Sequence, residues 1–310
     1  MKDNLFSIVC VTYNQEKLIT ECLDSIAGQD YRQIELIVCD DCSTDRTVQV
    51  VEEWLEDHRD RFENIVFLKN EQNLGISATH DRGLRCAVGK YLKYIAGDDI
   101  LSPNMANNVA LFLKKSNCLW GQTLVVPFFD VMSNCYKYTL PISRVRSYFT
   151  FHAVDQFRMF CRNNFFVAPG NFFNRKALVE IGYLDVDFRS FEDRHTWLRL
   201  SKAGIKASLL PLPLVFWRRH NKSISYSAFS TGNTQYFNDA IKTLEKYVFP
   251  YINTLDWITV KHVCANYRYF KTLVELGGTD KAHRKARYEK LKDPLWWINS
   301  PFYFFDRFFQ

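Results

Sequence analysis

The sequence predicts an α/β fold, a mostly parallel sheet with helices on both faces. Strand-like and helix-like patterns alternate across the first hundred residues, the arrangement of a parallel sheet with helical crossovers. The runs that read as strands are short, apolar and rich in Val and Ile, as strands buried on both faces are. Two aspartate pairs, Asp40–Asp41 and Asp98–Asp99, fall just past two of those runs, where open sheets of this class place their ligands.

Residues 6–11 (FSIVCV) form the first expected strand, followed by Thr12-Tyr13-Asn14 and then Leu18, Ile19, Cys22, Leu23 and Ile26 at helical spacing. Residues 35–39 read as a second strand. The helix after it sets Val48, Val51, Trp54 and Leu55 on one face, with Ser43 or Thr44 placed to cap its start. Residues 64–68 are a third strand, 76–88 a third helix and 91–95 a fourth strand. Farther on, residues 233–249 and 257–276 carry helical patterns, followed by the basic run 281–292 and the aromatic segment PLWWINSPFYFFDRFFQ.

At 310 residues the chain is long enough for one large α/β domain with appendages, or for two domains. The expected division is a catalytic domain over residues 1–228 and a helical, aromatic-rich extension over residues 229–310. Within the first, residues 1–100 form the nucleotide-binding half and 101–228 the acceptor half. A net charge of +6 favours an anionic partner only weakly. MKDNLFSIVCV has neither the apolar stretch nor the cleavage site of a signal peptide, and no run approaches the length needed to span a bilayer. LLPLPLVFW comes nearest and is broken by Pro211 and Pro213. Nine cysteines without framework spacing suit a reducing compartment. A cytoplasmic location is expected, with the C-terminal basic and aromatic segments able to lie at the inner membrane surface. Stacking of the same aromatics on single-stranded nucleic acid has no other support, and no nucleic-acid partner is expected.

Cys39-x-x-Cys42 encloses Asp40 and Asp41. A redox pair of this spacing opens a helix, where the dipole lowers the thiol pKa. Here Cys39 ends a strand, and no second pair with zinc spacing occurs. The carboxylates carry the interest. Adjacent aspartates at a strand end, such as Asp98 and Asp99 after Ala-Gly, can hold Mg²⁺ or Mn²⁺ while substrate phosphates complete the shell; an acidic turn is the alternative. In FEDRHTWLRL, Glu192 and Asp193 fall in the first turn of an expected helix. That position suits either the helix dipole or a general base. In RRHNKSIS, His220 reads as a metal ligand, a phosphate contact or a solvated histidine, and Arg218, Arg219 and Lys222 as cations for phosphate.

Taken in order, SIVCVTYNQEKLITECLDSIAGQ, IELIVCDDCSTDRT, NLGISATHDRGL, GKYLKYIAGDDI, Gly170-Asn171-Phe172-Phe173, FEDRHTWLRL and FWRRHNKSIS resemble an inverting family 2 glycosyltransferase with the GT-A fold, of the bacterial surface-polysaccharide type. The resemblance covers about residues 5–226. It implies a UDP-sugar donor, with Thr12, Tyr13, Asn14 and Glu16 near the nucleotide and Asp41 accepting from the uracil imide. It implies that Asp98 and Asp99 are the family's D-x-D pair, with Asp99 the stronger ligand of Mn²⁺ or Mg²⁺, Asp98 reaching ribose or metal, and His220 completing the site. Asp193 matches the general base, with Glu192 beside it as the lesser claimant, and Arg219 falls among the nucleotide-sugar contacts. The implied product is a β-glycoside on a saccharide acceptor, lipid-linked in surface polysaccharide assembly.

Two positions depart from the family pattern. His80-Asp81 stands where Arg-Asn is more usual, leaving Arg82 or Arg85 to supply a cation near the diphosphate, and Ala96-Gly97 precedes Asp98 where another Asp is often found. A sugar-nucleotide nucleotidyltransferase is the competing enzyme, but its Gly-rich basic first loop is missing from TYNQE. No G-x-G-x-x-G follows a strand and no P-loop occurs. A non-catalytic nucleotide-sugar or membrane-binding module remains the third reading; it would have no use for Asp193.

Overall fold

A computed structural model describes residues 2–220 and 234–291. The chain divides into two compact units, one of Met1–Phe157 and Phe165–His220 and one of Arg158–Asn164 and Asn221–Gln310.

The first unit is built on one eight-stranded sheet: β1 (Lys2–Thr12), β2 (Ile34–Asp40), β3 (Asn64–Lys69), β4 (Gly89–Ala96), β5 (Ile100–Leu101), β6 (Trp120–Phe129), β7 (Asn171–Asn174) and β8 (Ala207–Arg219). Their spatial order is β3-β2-β1-β4-β7-β6-β8-β5. The pairs from β3 to β4 are parallel, β7 runs antiparallel between β4 and β6, and β6 pairs parallel with β8. The mostly parallel sheet expected from the alternation is present; the antiparallel β7 is not marked in the sequence. The first four strands run one to five residues beyond their expected bounds, because residues flanking the apolar runs continue the strands. β8 contains Pro211 and Pro213, and its register against β6 shifts beside them, so the prolines sit at irregularities of the ladder.

The helices of this unit are α1 (Ile19–Ala27), α2 (Thr47–Asp57), α3 (Ile76–Cys86), α4 (Met105–Ser116), α5 (Ser143–Arg146), the start of α6 (Ala153–Arg162), α7 (Arg175–Glu180) and α8 (Asp193–Lys202). Apolar residues of α1, α2 and α4, among them Leu23, Trp54 and Val109, form one cluster with Phe6, Ile8, Leu36 and Val38 of the sheet. Trp197 of α8 stacks on Trp120 of β6 at 4.8 Å between centroids. The expected cap of α2 by Ser43 or Thr44 is not formed: the N-cap residue is Arg46, with no side-chain cap, and Asp45 before it accepts the Thr47 N–H at 2.9 Å. Ser43 is already bonded to Asp40.

The second unit holds α9 (Thr234–Tyr247), α10 (Trp257–Glu275) and α11 (Asp280–Leu291). Asp256 caps α10 by accepting from Thr259 N–H and is paired with Arg162. Ala282 and Ala286 of α11 pack with Phe237 and Leu273, while Lys281, Arg284 and Lys285 are exposed. These three cations thus lie on the outer face of an amphipathic helix. No helix among the described residues is long and apolar enough to cross a membrane. The aromatic segment 294–310 and residues 221–225, Lys222 among them, lie outside the described residues.

Helix α3 sits close to the sheet because position 83 has no side chain. A Cβ there would stand 2.5 Å from Val9 Cγ1 and 2.6 Å from Cys39 Sγ. Gly83→Ala is expected to destabilise the chain by ~1–3 kcal/mol through overpacking, read as a lower urea midpoint at unchanged m-value. An unchanged midpoint would contradict this packing.

Candidate active site

Strands β1, β2 and β4 end nearly level: Thr12 lies opposite Asp40, and Val11 is paired with both Cys39 and Ala96. The loops that follow therefore leave one edge of the sheet together. After β1, Asn14 takes a left-handed backbone, φ 51°, and donates its N–H to Ser43 Oγ at 2.9 Å while its Oδ1 accepts from Thr44 N–H at 2.8 Å. Glu16 accepts from Arg46 N–H, and the Thr12 hydroxyl donates to Gln15. Asn14 and Glu16 thus brace the two loops against each other, whereas Tyr13 is 45% exposed at the edge.

The two aspartates after β2 have different surroundings. Asp40 is spent on its own loop, accepting from the backbone and hydroxyl of Ser43. Asp41, only 4% exposed, accepts from Asn70 Nδ2 and Leu74 N–H on Oδ1, both at 2.8 Å, and from Gly75 N–H on Oδ2 at 2.9 Å. Those backbone donors sit at the start of α3. Oδ2 keeps one lone pair for a further donor. Arg82 donates to the Lys69 carbonyl and to Asn70 Oδ1, so it joins the Asp41 network. Arg85 is drawn away by Asp81 and the Gly182 carbonyl. His80 is buried and bonded to the Ile76 carbonyl, and burial pushes its pKa down to about 4. The histidine of the departing pair is therefore a neutral core residue, and Arg82 is the cation on this side.

Cys39 is buried against α3, and burial pushes its thiol pKa up. Cys42 is half-buried in the loop with φ 65°. The cysteines frame the loop and carry no redox geometry.

The second acidic pair follows Gly97, where a Cβ would meet Gln15 Oε1 at 2.5 Å and Ile19 Cδ1 at 2.7 Å. Asp98 Oδ2 lies 2.9 Å from His220 Nε2 and accepts from it when that nitrogen carries the proton. Asp99 is buried and accepts the Arg218 N–H at 2.9 Å. Burial, and then the charge of Asp98, push its pKa well above the carboxylate range, against the Arg218 N–H and the charges of Lys93 and Arg218. Among the described residues no three His, Cys, Asp or Glu side chains form a complete metal cage. Two carboxylates beside an imidazole nonetheless suit Mg²⁺ or Mn²⁺, which take one or two protein oxygens and the rest from a diphosphate. Arg218, read from sequence as a cation for phosphate, has its guanidinium committed to protein partners. Arg219 lies over the Trp217 ring, 5.1 Å from its centroid.

The third acidic element is the start of α8, held to the start of α3: Ile76 N–H donates to the Arg189 carbonyl and Ser77 Oγ to the Phe191 carbonyl, both at 2.9 Å. Asp193, half-exposed, accepts from Arg194 N–H. Glu192 is buried, and burial followed by the Asp193 charge pushes its pKa up to about 8. Lys93, absent from the expected site, is buried in β4 and donates to the Tyr94 and Pro169 carbonyls at 2.7 and 2.6 Å. Burial pushes its pKa down to about 7, while Asp99 and Glu192 favour its charge. A lysine inside an otherwise apolar strand run was the available signal. The Asp41 cradle, the Asp98–Asp99 turn and the α8 start are thus linked through α3 and adjacent strand ends.

The family model described as Glycosyl transferase family 2 matches residues 7–182. The chain belongs to glycosyl transferase family 2. This glycosyltransferase is 25% identical over 272 residues to an uncharacterized glycosyltransferase of Methanocaldococcus jannaschii, covering 87% of this chain and 86% of that one. It is 25% identical over 225 residues to UDP-Glc:α-D-GlcNAc-diphosphoundecaprenol β-1,3-glucosyltransferase WfaP of Escherichia coli, covering 73% and 81%. Its fold is that of Staphylococcus aureus TarS in complex with UDP-GlcNAc, with TM-score 0.59, 21% identity and coverage of 87% and 72%. The mannosyltransferase PcManGT of Pyrobaculum calidifontis, in complex with GDP-Man and Mn²⁺, matches with TM-score 0.57, 18% identity and coverage of 95% and 89%. The GT-A architecture expected from the sequence is the one observed.

The left-handed backbone of Cys42 costs a non-glycine residue ~1–2 kcal/mol, partly offset by the entropy a glycine loses on folding. Cys42→Gly is therefore expected to leave the melting temperature unchanged or raise it; a lower one would contradict the loop geometry. Between about pH 4.5 and pH 8 the folded chain holds a proton on Glu192 that the unfolded chain releases. Stability from this group therefore falls as pH rises through that window. Glu192→Gln mimics the neutral form, so its melting temperature should fall less over the same range than that of wild type. Equal slopes would show that Glu192 ionises normally.

Proposed function

We propose that this glycosyltransferase moves a hexose or N-acetylhexosamine from a UDP-sugar to a hydroxyl of a saccharide acceptor, with inversion, and that Asp193 is the general base. The observation that carries the reading is the gathering of three acidic elements around one sheet edge, with Asp193 the half-exposed carboxylate at a helix start. Thr12, Tyr13, Asn14 and Glu16 line the nucleotide side. Asp41 Oδ2, with its remaining lone pair, accepts the uracil N–H, while Arg82 and Arg219 supply cationic contacts. Uracil offers a donor edge that a carboxylate can specify.

Asp98, Asp99 and His220 would hold Mn²⁺ or Mg²⁺, which would neutralise charge on the leaving nucleoside diphosphate. Asp193 removes the acceptor hydroxyl's proton as that oxygen attacks the anomeric carbon from the face opposite the diphosphate. One displacement inverts the centre, so an α-linked donor gives a β-glycoside. Glu192, protonated below about pH 8, leaves Asp193 as the charged partner of the pair.

The activity of WfaP supports a UDP-linked donor and a lipid-diphosphate acceptor, and the TarS complex is compatible with UDP-GlcNAc. The exposed cations of α11 favour peripheral contact with an anionic membrane surface, where such an acceptor resides. Surface polysaccharide assembly, of O-antigen or capsule type, is the fitting setting.

Asp193→Asn keeps the shape of the base and removes its basicity. UDP release in the presence of acceptor should fall by ~10²–10⁴-fold with UDP binding retained. A variant that turns over at the wild-type rate would remove Asp193 from the base role.

A further inference from the structure

We propose that Arg218 is the positioning residue of the Asp98–Asp99 turn: its buried guanidinium ties the Asp98 backbone to α1 and the end of β6, and so sets the pair where it meets the donor's diphosphate and cation. This rests on the glycosyl-transfer reading above. Arg218 is 2% exposed. A buried guanidinium is costly unless its N–H groups are paired, and here they are paired with the parts that must be held. Nε donates to the Asp98 carbonyl at 2.8 Å, one Nη to the Asp130 carbonyl after β6, and the other to Glu21 of α1 at 2.7 Å. The guanidinium Cζ lies over Phe128, 4.6 Å from the ring centroid. Its own backbone N–H holds Asp99 Oδ1. One residue therefore touches both members of the acidic pair and joins them to α1, β6 and β8.

The turn needs such a brace. On the β1 side it is tied by Gly97 N–H to the Val11 carbonyl. On the far side the two-residue β5 pairs with Phe216 and Val215 of β8, leaving Asp98 and Asp99 between the two anchorages. Core stability alone would be served as well by an apolar side chain of similar volume. Helix α1 enters the same network through Glu21, whose side chain is 53% exposed, so the brace can be loosened from the surface.

The test uses the full chain and isothermal titration of UDP with and without Mn²⁺, alongside turnover of a UDP-sugar. For Arg218→Met the gain in UDP affinity on adding Mn²⁺ should fall by ~10–100-fold, the usual effect of losing a group that orients metal ligands. Metal-free UDP affinity should stay at the wild-type value, because the uracil side is built from other loops. Arg218→Lys should recover part of the gain, and Glu21→Gln should show a smaller loss in the same direction. If Arg218→Met does not fold, Glu21→Gln decides: an unchanged Mn²⁺ gain overturns the proposal. A folded Arg218→Met with the wild-type gain overturns it equally. Wild type that binds UDP but gains nothing from Mn²⁺ contradicts the diphosphate–cation reading, and the role of Arg218 with it. Wild type that gains from Mn²⁺ but turns over no UDP-sugar contradicts the donor assignment alone.

Discussion

The parallel, in-register pairing of β1 with β2 and β4 is the constraint on which the rest depends. It brings Thr12, Asp40 and Ala96 to one edge, and the loops that carry Asn14, Asp41 and Asp98–Asp99 depart from there. A one-residue slip in either pairing would turn buried strand residues to the opposite face and separate Asp41 from its donors. The close seat of α3 on the sheet at Gly83 serves the same end, since the amides that hold Asp41 belong to the approach to that helix.

Gathering acids at one edge has an electrostatic cost, and the fold offsets it from inside. Burial drives Asp99 and Glu192 toward their neutral forms. Lys93 and Arg218, both buried, draw Asp99 back, and Lys93 does the same for Glu192. A divalent cation held by Asp98 and Asp99, as proposed, would add positive charge beside Asp99. Asp193 differs from its neighbour by being half-exposed, the difference in hydration on which its proposed role as the base rests.

Much of this was legible in the sequence. The strand and helix periods located β1 to β4 and α1 to α3, because buried strands and one-sided helices must carry those patterns. The start of α8 followed from Trp197, Leu198 and Leu200. The ordered motifs gave the family and its fold. Side-chain commitments were not legible. Nothing local shows that Asp40 turns back to Ser43 while Asp41 faces the α3 amides, or that Arg85 leaves for Asp81 while Arg82 stays with Asn70. The antiparallel β7 is only four residues long, too short to show a period. Arg218 and Arg219 look alike in sequence. The alternation of a strand, and a buried partner more than a hundred residues away, make one a brace and leave the other over Trp217.

The central claim is that the three acidic elements form a single metal-assisted site for a UDP-sugar. Release of nucleoside diphosphate from a panel of UDP-sugars and GDP-mannose, in Mn²⁺, in Mg²⁺ and in EDTA, tests it most directly. Slow hydrolysis of one UDP-sugar that requires the metal, with no release from GDP-mannose, is the expected result. Release from GDP-mannose alone, or an equal rate in EDTA, would contradict it.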